Sequence, residues 1–188
     1  DIRIFLLIQK IYHMSQVLYF IEKSWEIYAK RFHLNNAFLS LSIIFLAWIM
    51  DIVLALYACP LCILTRYVFG AFAFFSLIAA LNTRFKLLKN LLVFASLVFG
   101  VGVTSRQIYI QNLSSEGLTN LSGCGMPFET TIAFYGFFEG LYKTLQGGPS
   151  CAEDGWRFIF NFAEWGLVFF LLFIFCLLYT SDAADDGS

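Results

Sequence analysis

Two thiols and a guanidinium lie close together in "CPLCILTR", Cys59 to Arg66. A C-x-x-C disulfide closes so little chain that it makes a poor structural staple, and thiol redox exchange is the better use for it. Pro60 suits the first position of a helix, which puts Cys59 at the cap and Cys62 in the first turn. There the positive end of the helix favours thiolate, the form that attacks disulfides and gives up electrons. Arg66 follows Cys62 by four residues and shares its helix face one turn on, where a permanent cation stabilises a sulfur anion. An arginine at that depth in a membrane helix is costly and by default functional, snorkelling toward the headgroups being the structural alternative.

The elements that must position these groups are membrane spans. The chain has 188 residues, of which 60% are hydrophobic and only 13% charged, with 23 phenylalanines. That is far too apolar for a soluble domain of this size. A net charge of -1 with no clustered basic surface excludes nucleic-acid binding. Four windows reach the roughly 20 apolar residues that a helix needs to cross the hydrocarbon. They run from Ala37 to Ala58, Leu61 to Leu81, Leu87 to Ile110 and Phe158 to Tyr179. Backbone groups in lipid must be satisfied internally, so the expected fold is all-α, an integral membrane four-helix bundle. Neither a repeat nor a low-complexity linker is visible, and residues 14–179 read as a single domain.

Lysine and arginine placement sets the orientation. Lys23, Lys30 and Arg31 precede the first span, and Arg84, Lys86 and Lys89 fill the turn between the second and third. Those segments and both termini are expected in the cytoplasm. The Cys59-Pro60 link and the long loop after Gln111 then face the opposite, outer side. Residues 1–13 precede Met14, and 180–188 turn abruptly small and acidic, so both ends read as non-native additions. Met14 to Phe32 has apolar residues at helical intervals with basic ones between, as in a helix lying on the inner surface or an amphipathic terminus.

Of the five cysteines, Cys59, Cys62, Cys124 and Cys151 fall on the outer side, where disulfides are permitted. Proximity pairs Cys59 with Cys62, and the long loop pairs Cys124 with Cys151, the latter open to a purely structural reading. Zinc is disfavoured because only one close C-x-x-C is present. Cys176, inside the fourth span, reads as a small apolar residue. In the loop, Phe128, Ile132, Tyr135, Phe138, Tyr142 and Leu145 recur at helical spacing and predict one short helix, resting on the outer surface or packed on the bundle. Gly147, Gly148 and Pro149 break that helix and are expected to leave Cys151 mobile. Asp51, within the first span, reads as snorkelling or protonated, with a proton carrier as the alternative. His13 and His33 fall on the inner side, away from the thiols.

At this point the chain resembles the DsbB family, disulfide bond formation protein B of bacterial inner membranes. The resemblance is carried by "CPLCILTRYVFG" at the head of the second span, "RQIYIQ" from Arg106, and "SCAEDGWRFIF" from Ser150 into the fourth. It implies a membrane thiol oxidase in which a periplasmic DsbA-like dithiol protein attacks Cys124, the Cys124–Cys151 pair is reoxidised by Cys59–Cys62, and Cys62 passes electrons to ubiquinone or menaquinone. By the same resemblance Arg66 lies beside the quinone ring and Arg106 helps to hold it. The family often has histidine where this chain has Asn112, which here reads as the start of the loop. DsbA is a strong oxidant at about -120 mV against about -270 mV for a thioredoxin-like disulfide, a gap of roughly 7 kcal/mol. An ordinary disulfide cannot recharge it, whereas a lipid-soluble quinone, reached only from the bilayer, can. A quinone-linked reductase of the vitamin K epoxide type is disfavoured by the motif order, and a non-catalytic scaffold or transporter braced by disulfides is the rival from another class.

Overall fold

A computed structural model describes residues 31–81, 86–113, 126–152 and 156–185, with Tyr19, Lys23 and Gly117 besides. Cys124 and nearly all of the expected Met14 to Phe32 surface helix lie outside these residues. Four long helices carry the expected spans: α1 (Phe32–Leu54), α2 (Pro60–Leu81), α3 (Lys86–Gln111) and α6 (Phe162–Asp185). Between α3 and α6 lie α4 (Phe128–Tyr135), α5 (Phe137–Gln146) and a 3-10 turn, Pro149–Cys151. All four long helices are long and apolar enough to cross a membrane.

Three boundaries depart from the sequence expectation, each for a local reason. The first span starts at Phe32 rather than Ala37, because Asn36, polar enough to suggest a boundary, is buried in the bundle. It stops at Leu54 because Ala55 turns left-handed (φ 49°) and the Leu56 N–H closes back on the Asp51 carbonyl at 3.0 Å. The last span starts at Phe162 rather than Phe158 because Asn161 and Glu164 form a reciprocal cap. The Asn161 side chain accepts the Glu164 N–H at 2.9 Å, and the Glu164 carboxylate accepts the Asn161 N–H at 2.8 Å. The single loop helix is two helices broken at Gly136, whose φ of 79° and ψ of 172° belong to a region that essentially only glycine occupies.

Helix α1 packs on α2, α2 on α3, and α3 on α6. Lipid gives such helices no hydrophobic reason to associate, so close packing has to hold them. The core shows it: Phe69 of α2 stacks on Phe170 of α6 with centroids 4.1 Å apart, and a Cβ at Gly100 of α3 would stand 2.5 Å from that Phe170 ring. Ser40 of α1 adds a buried hydrogen bond to the Phe69 carbonyl at 2.8 Å. The opposite faces, Phe38 and Phe45 on α1 and Phe175 on α6 among them, are exposed, as surfaces that meet lipid should be. A second cluster, Leu61, Leu64, Val103, Ile110 and Cys151, seats the loop on the cysteine end of the bundle. On the loop's far side Phe134, Phe137, Phe138 and Tyr142 are exposed, an apolar face suited to the membrane interface.

Candidate active site

The cysteine site is built on the first turn of α2. Pro60 opens the helix and brings no N–H, so the first free donors are those of Leu61 and Cys62. Both favour sulfur anions: the Cys62 N–H donates to Cys59 Sγ at 3.2 Å, and the backbone at Leu61 helps to lower the Cys151 pKa. Cys59 Sγ and Cys62 Sγ are 2.8 Å apart, as thiols rather than as a bonded pair. Cys59 also packs against the cluster that holds Cys151, which arrives on the 3-10 turn and is fully buried. Three sulfurs thus converge on one helix end, with Cys59 between the other two.

The cysteine end of α2 is polarised accordingly. Hydrogen bonding to Cys151 and then to Cys62, with burial, pushes the Cys59 thiol up from its ordinary value. The hydrogen bond from Cys59 holds Cys151 down at about 6, helped by the backbone at Gly148 and Leu61 and opposed by burial. Cys151 is therefore a thiolate at neutral pH and Cys59 a thiol. Replacing Cys59 with alanine should move the Cys151 titration up from about 6 toward or beyond the ordinary 9.0. Thiolate ultraviolet absorbance, followed in a phosphine-reduced protein with alanine at Cys62, Cys124 and Cys176, reads this directly; a midpoint still near 6 would remove Cys59 as the cause.

Cys151, expected to be mobile, is buried at the end of the glycine stretch in this structure. Gly147 adopts φ +74° and ψ 162°, and a Cβ there would stand 2.2 Å from Ile110 Cδ1. The glycines let the chain dock tightly and seat the cysteine.

Two side chains that hold the site were not anticipated. Gln107 of α3, 2% exposed, donates its Nε2 to Cys62 Sγ at 3.0 Å and lies 3.6 Å from Cys59 Sγ. A neutral amide thus joins Cys59 as a hydrogen-bond donor to Cys62. Asp51 of α1 is neither snorkelling nor alone: its two oxygens accept from Nη1 and Nη2 of Arg66 at 2.5 and 2.8 Å. Gln107 and Gln111, one turn apart among apolar residues, were the available sign of a polar stripe on α3.

Cys59, Cys62, Arg66, Asp51 and Gln107 all border one cavity of about 640 Å³ between α1 and α6, the two spans that close the bundle across a gap. Its wall is mostly apolar, with Trp165 and Phe169 on the α6 side. Such a space, apolar with a few convergent polar groups, suits a small flat ring with a lipid tail. Arg106, expected to help hold a quinone, is not on this wall. Its Nε and Nη2 donate to the Leu145 and Gln146 carbonyls at 3.3 and 3.0 Å, and its guanidinium lies over the Tyr109 ring. It clasps the end of α5 and so anchors the loop. Asn112 closes α3 by donating to the Ile108 carbonyl at 2.8 Å, in keeping with its reading as the loop start. Cys176 packs beside the phenylalanine core and His33 lies at the far end of α1.

A helical membrane protein with three thiols gathered at a helix end, beside a cavity between its outer spans, is a membrane dithiol oxidoreductase in class. Comparison with known proteins agrees. Residues 29–180 match the family described as disulfide bond formation protein DsbB. A Disulfide bond formation protein B of Marinobacter nauticus is 32% identical over 132 residues, 68% of this chain and 77% of the relative. One from Xanthomonas euvesicatoria pv. vesicatoria is 29% identical over 140 residues, covering 72% of this chain and 80% of the relative. The chain belongs to the DsbB family. It is a membrane thiol oxidase with quinone-linked activity, which sets aside the scaffold and the vitamin K epoxide reductase alternatives.

Proposed function

We propose that the protein reoxidises a DsbA-like dithiol protein at the periplasmic face, using Cys124 and Cys151 as the entry pair and Cys59 and Cys62 as the exit pair. The convergence of Cys59, Cys62 and Cys151 on the start of α2 carries this reading. A thiolate of the reduced partner attacks Cys124, breaks the Cys124–Cys151 bond and leaves the electron pair on Cys151, where the backbone at Gly148 and Leu61 favours the departing anion. The partner's second thiol then resolves the mixed disulfide, and Cys124 returns as a thiol. Cys151 attacks Cys59, the sulfur it already touches, and the Cys59–Cys62 bond gives its electron pair to Cys62. Gln107 Nε2 is in place to donate to the departing sulfur. Cys124 next attacks Cys151, restoring the loop disulfide and releasing Cys59 as a thiol. The exit pair is now a dithiol bordering the cavity.

The cavity's size, apolar wall and Arg66 guanidinium fit a quinone ring. Bound there, ubiquinone or menaquinone supplies the two-electron acceptor that turns Cys59 and Cys62 back into a disulfide, taking up two electrons and two protons. Arg66 orients a ring carbonyl, Gln107 steadies the Cys62 sulfur, and the aromatic side chains of α6 limit water. Arg31 and Lys89 stand near the starts of α1 and α3, at the end of the bundle away from the cysteines, which supports a periplasmic cysteine end and cytoplasmic termini.

Trapping tests the relay. In a Cys151→Ala protein Cys124 has no internal partner, and a DsbA-like protein added in its oxidised form or as a single-cysteine mixed-disulfide donor should remain on it as an adduct visible without reductant. Failure to recover any adduct, with Cys124→Ala as the control, would overturn the assignment of the entry pair.

A further inference from the structure

Arg66 lies inside a span, and both it and Asp51 are largely buried, their side chains 23% and 19% exposed. An unpaired cation at that position is costly. Asp51 reaches it from a different helix, through two parallel contacts that fix the plane of the guanidinium. Of the five N–H donors of an arginine this pairing uses two and leaves three. Among the described residues bordering the cavity, Arg66 is the one cation and Asp51 the one carboxylate, so the wall there carries oriented donors without net charge.

We propose that Asp51 is a positioning residue of the acceptor site: it fixes the Arg66 guanidinium and cancels its charge, so that the cavity selects uncharged ring carbonyls over anionic ones. The proposal deepens the quinone reading and rests on it. A lone arginine would favour an anion; the pair offers hydrogen bonds while its carboxylate repels one.

The test compares the intact protein with Asp51→Asn and Asp51→Glu, using two probes: an uncharged short-tailed ubiquinone analogue and a hydroxynaphthoquinone that is ionised at neutral pH. The Asn variant should bind the ionised probe about tenfold more tightly, while KM for the uncharged analogue rises by about tenfold, a shift that charges a few ångströms apart readily produce. Asp51→Glu should keep the wild-type preference. Single-turnover disulfide exchange with the DsbA-like partner, followed in both variants, separates a change confined to the cavity from a general loss. An Asn variant with the wild-type ratio of the two affinities overturns the proposal. So does a uniform loss of both affinities, partner exchange and thermal stability, which would make Asp51 a brace only. If the wild-type protein binds neither probe and reduces no quinone with a small dithiol as donor, the acceptor reading itself fails, and this proposal with it.

Discussion

Gly147→Val is expected to lower partner-driven turnover by about a hundredfold or more, although no atom of Gly147 takes part in sulfur exchange. The native backbone there, φ +74° and ψ 162°, is closed to a β-branched residue, at about 1 to 3 kcal/mol. Its Cβ would also fall 2.2 Å from Ile110 Cδ1, in a cluster that includes Leu61 and Cys151. Overpacking such a site costs about 1 to 3 kcal/mol more. Because Gly147 and Cys151 belong to the same docked segment, the loop relieves the strain by leaving its seat and taking Cys151 away from Cys59. Reduction of a quinone by a small dithiol that acts on the exit pair directly should stay near wild type. Equal turnover in both assays would show that the seating of Cys151 does not matter to the relay.

The second large effect concerns stability. Arg66→Leu leaves Asp51 mostly buried without its partner, and breaking a buried ion pair on one side is strongly destabilising; with a fifth of each side chain still exposed, about 3 kcal/mol is expected. The Asp51→Leu, Arg66→Leu double variant removes both charges and should recover to within about 1 kcal/mol of wild type in detergent unfolding. Quinone-coupled turnover should nonetheless stay at least about a hundredfold down in both, because the ring has lost its donor. A fully active double variant would remove the pair from the quinone site, and an Arg66→Leu protein as stable as wild type would remove the cost of the unpaired carboxylate.

How much of this was readable in advance depends on the distance over which each feature is decided. The spans follow from hydropathy, and the placing of Cys59 and Cys62 follows from Pro60 at the first position of α2, because both are settled within one helix. The Asp51–Arg66 pair spans two helices, and spacing along one chain segment does not say which residue of another will face it. Gln107 was hidden for the same reason, as its sulfur partners are 45 and 48 residues away. The cap Asn161 to Glu164 was missed because "NFAE" sits inside a run of aromatic residues that reads as continuous span. Gly136 was passed over because the apolar spacing continues across it, and spacing does not register a positive φ. The partners of Arg106 are not legible in the sequence for a chemical reason: a guanidinium serves carbonyl oxygens of a ring or of a helix end equally well, and here it meets those of Leu145 and Gln146.

That clasp sets the reach of the entry pair. From Gln146, held by Arg106, to Cys151 the chain is only residues 147–151, at most about 17 Å when drawn out. So short a leash keeps Cys151 at a local concentration of at least about millimolar around Cys59 even when the segment lifts from its seat. Free thiols in bulk solution compete poorly against a neighbour confined in that way. The leash, as much as any intrinsic reactivity, therefore decides which sulfur Cys59 receives its electrons from.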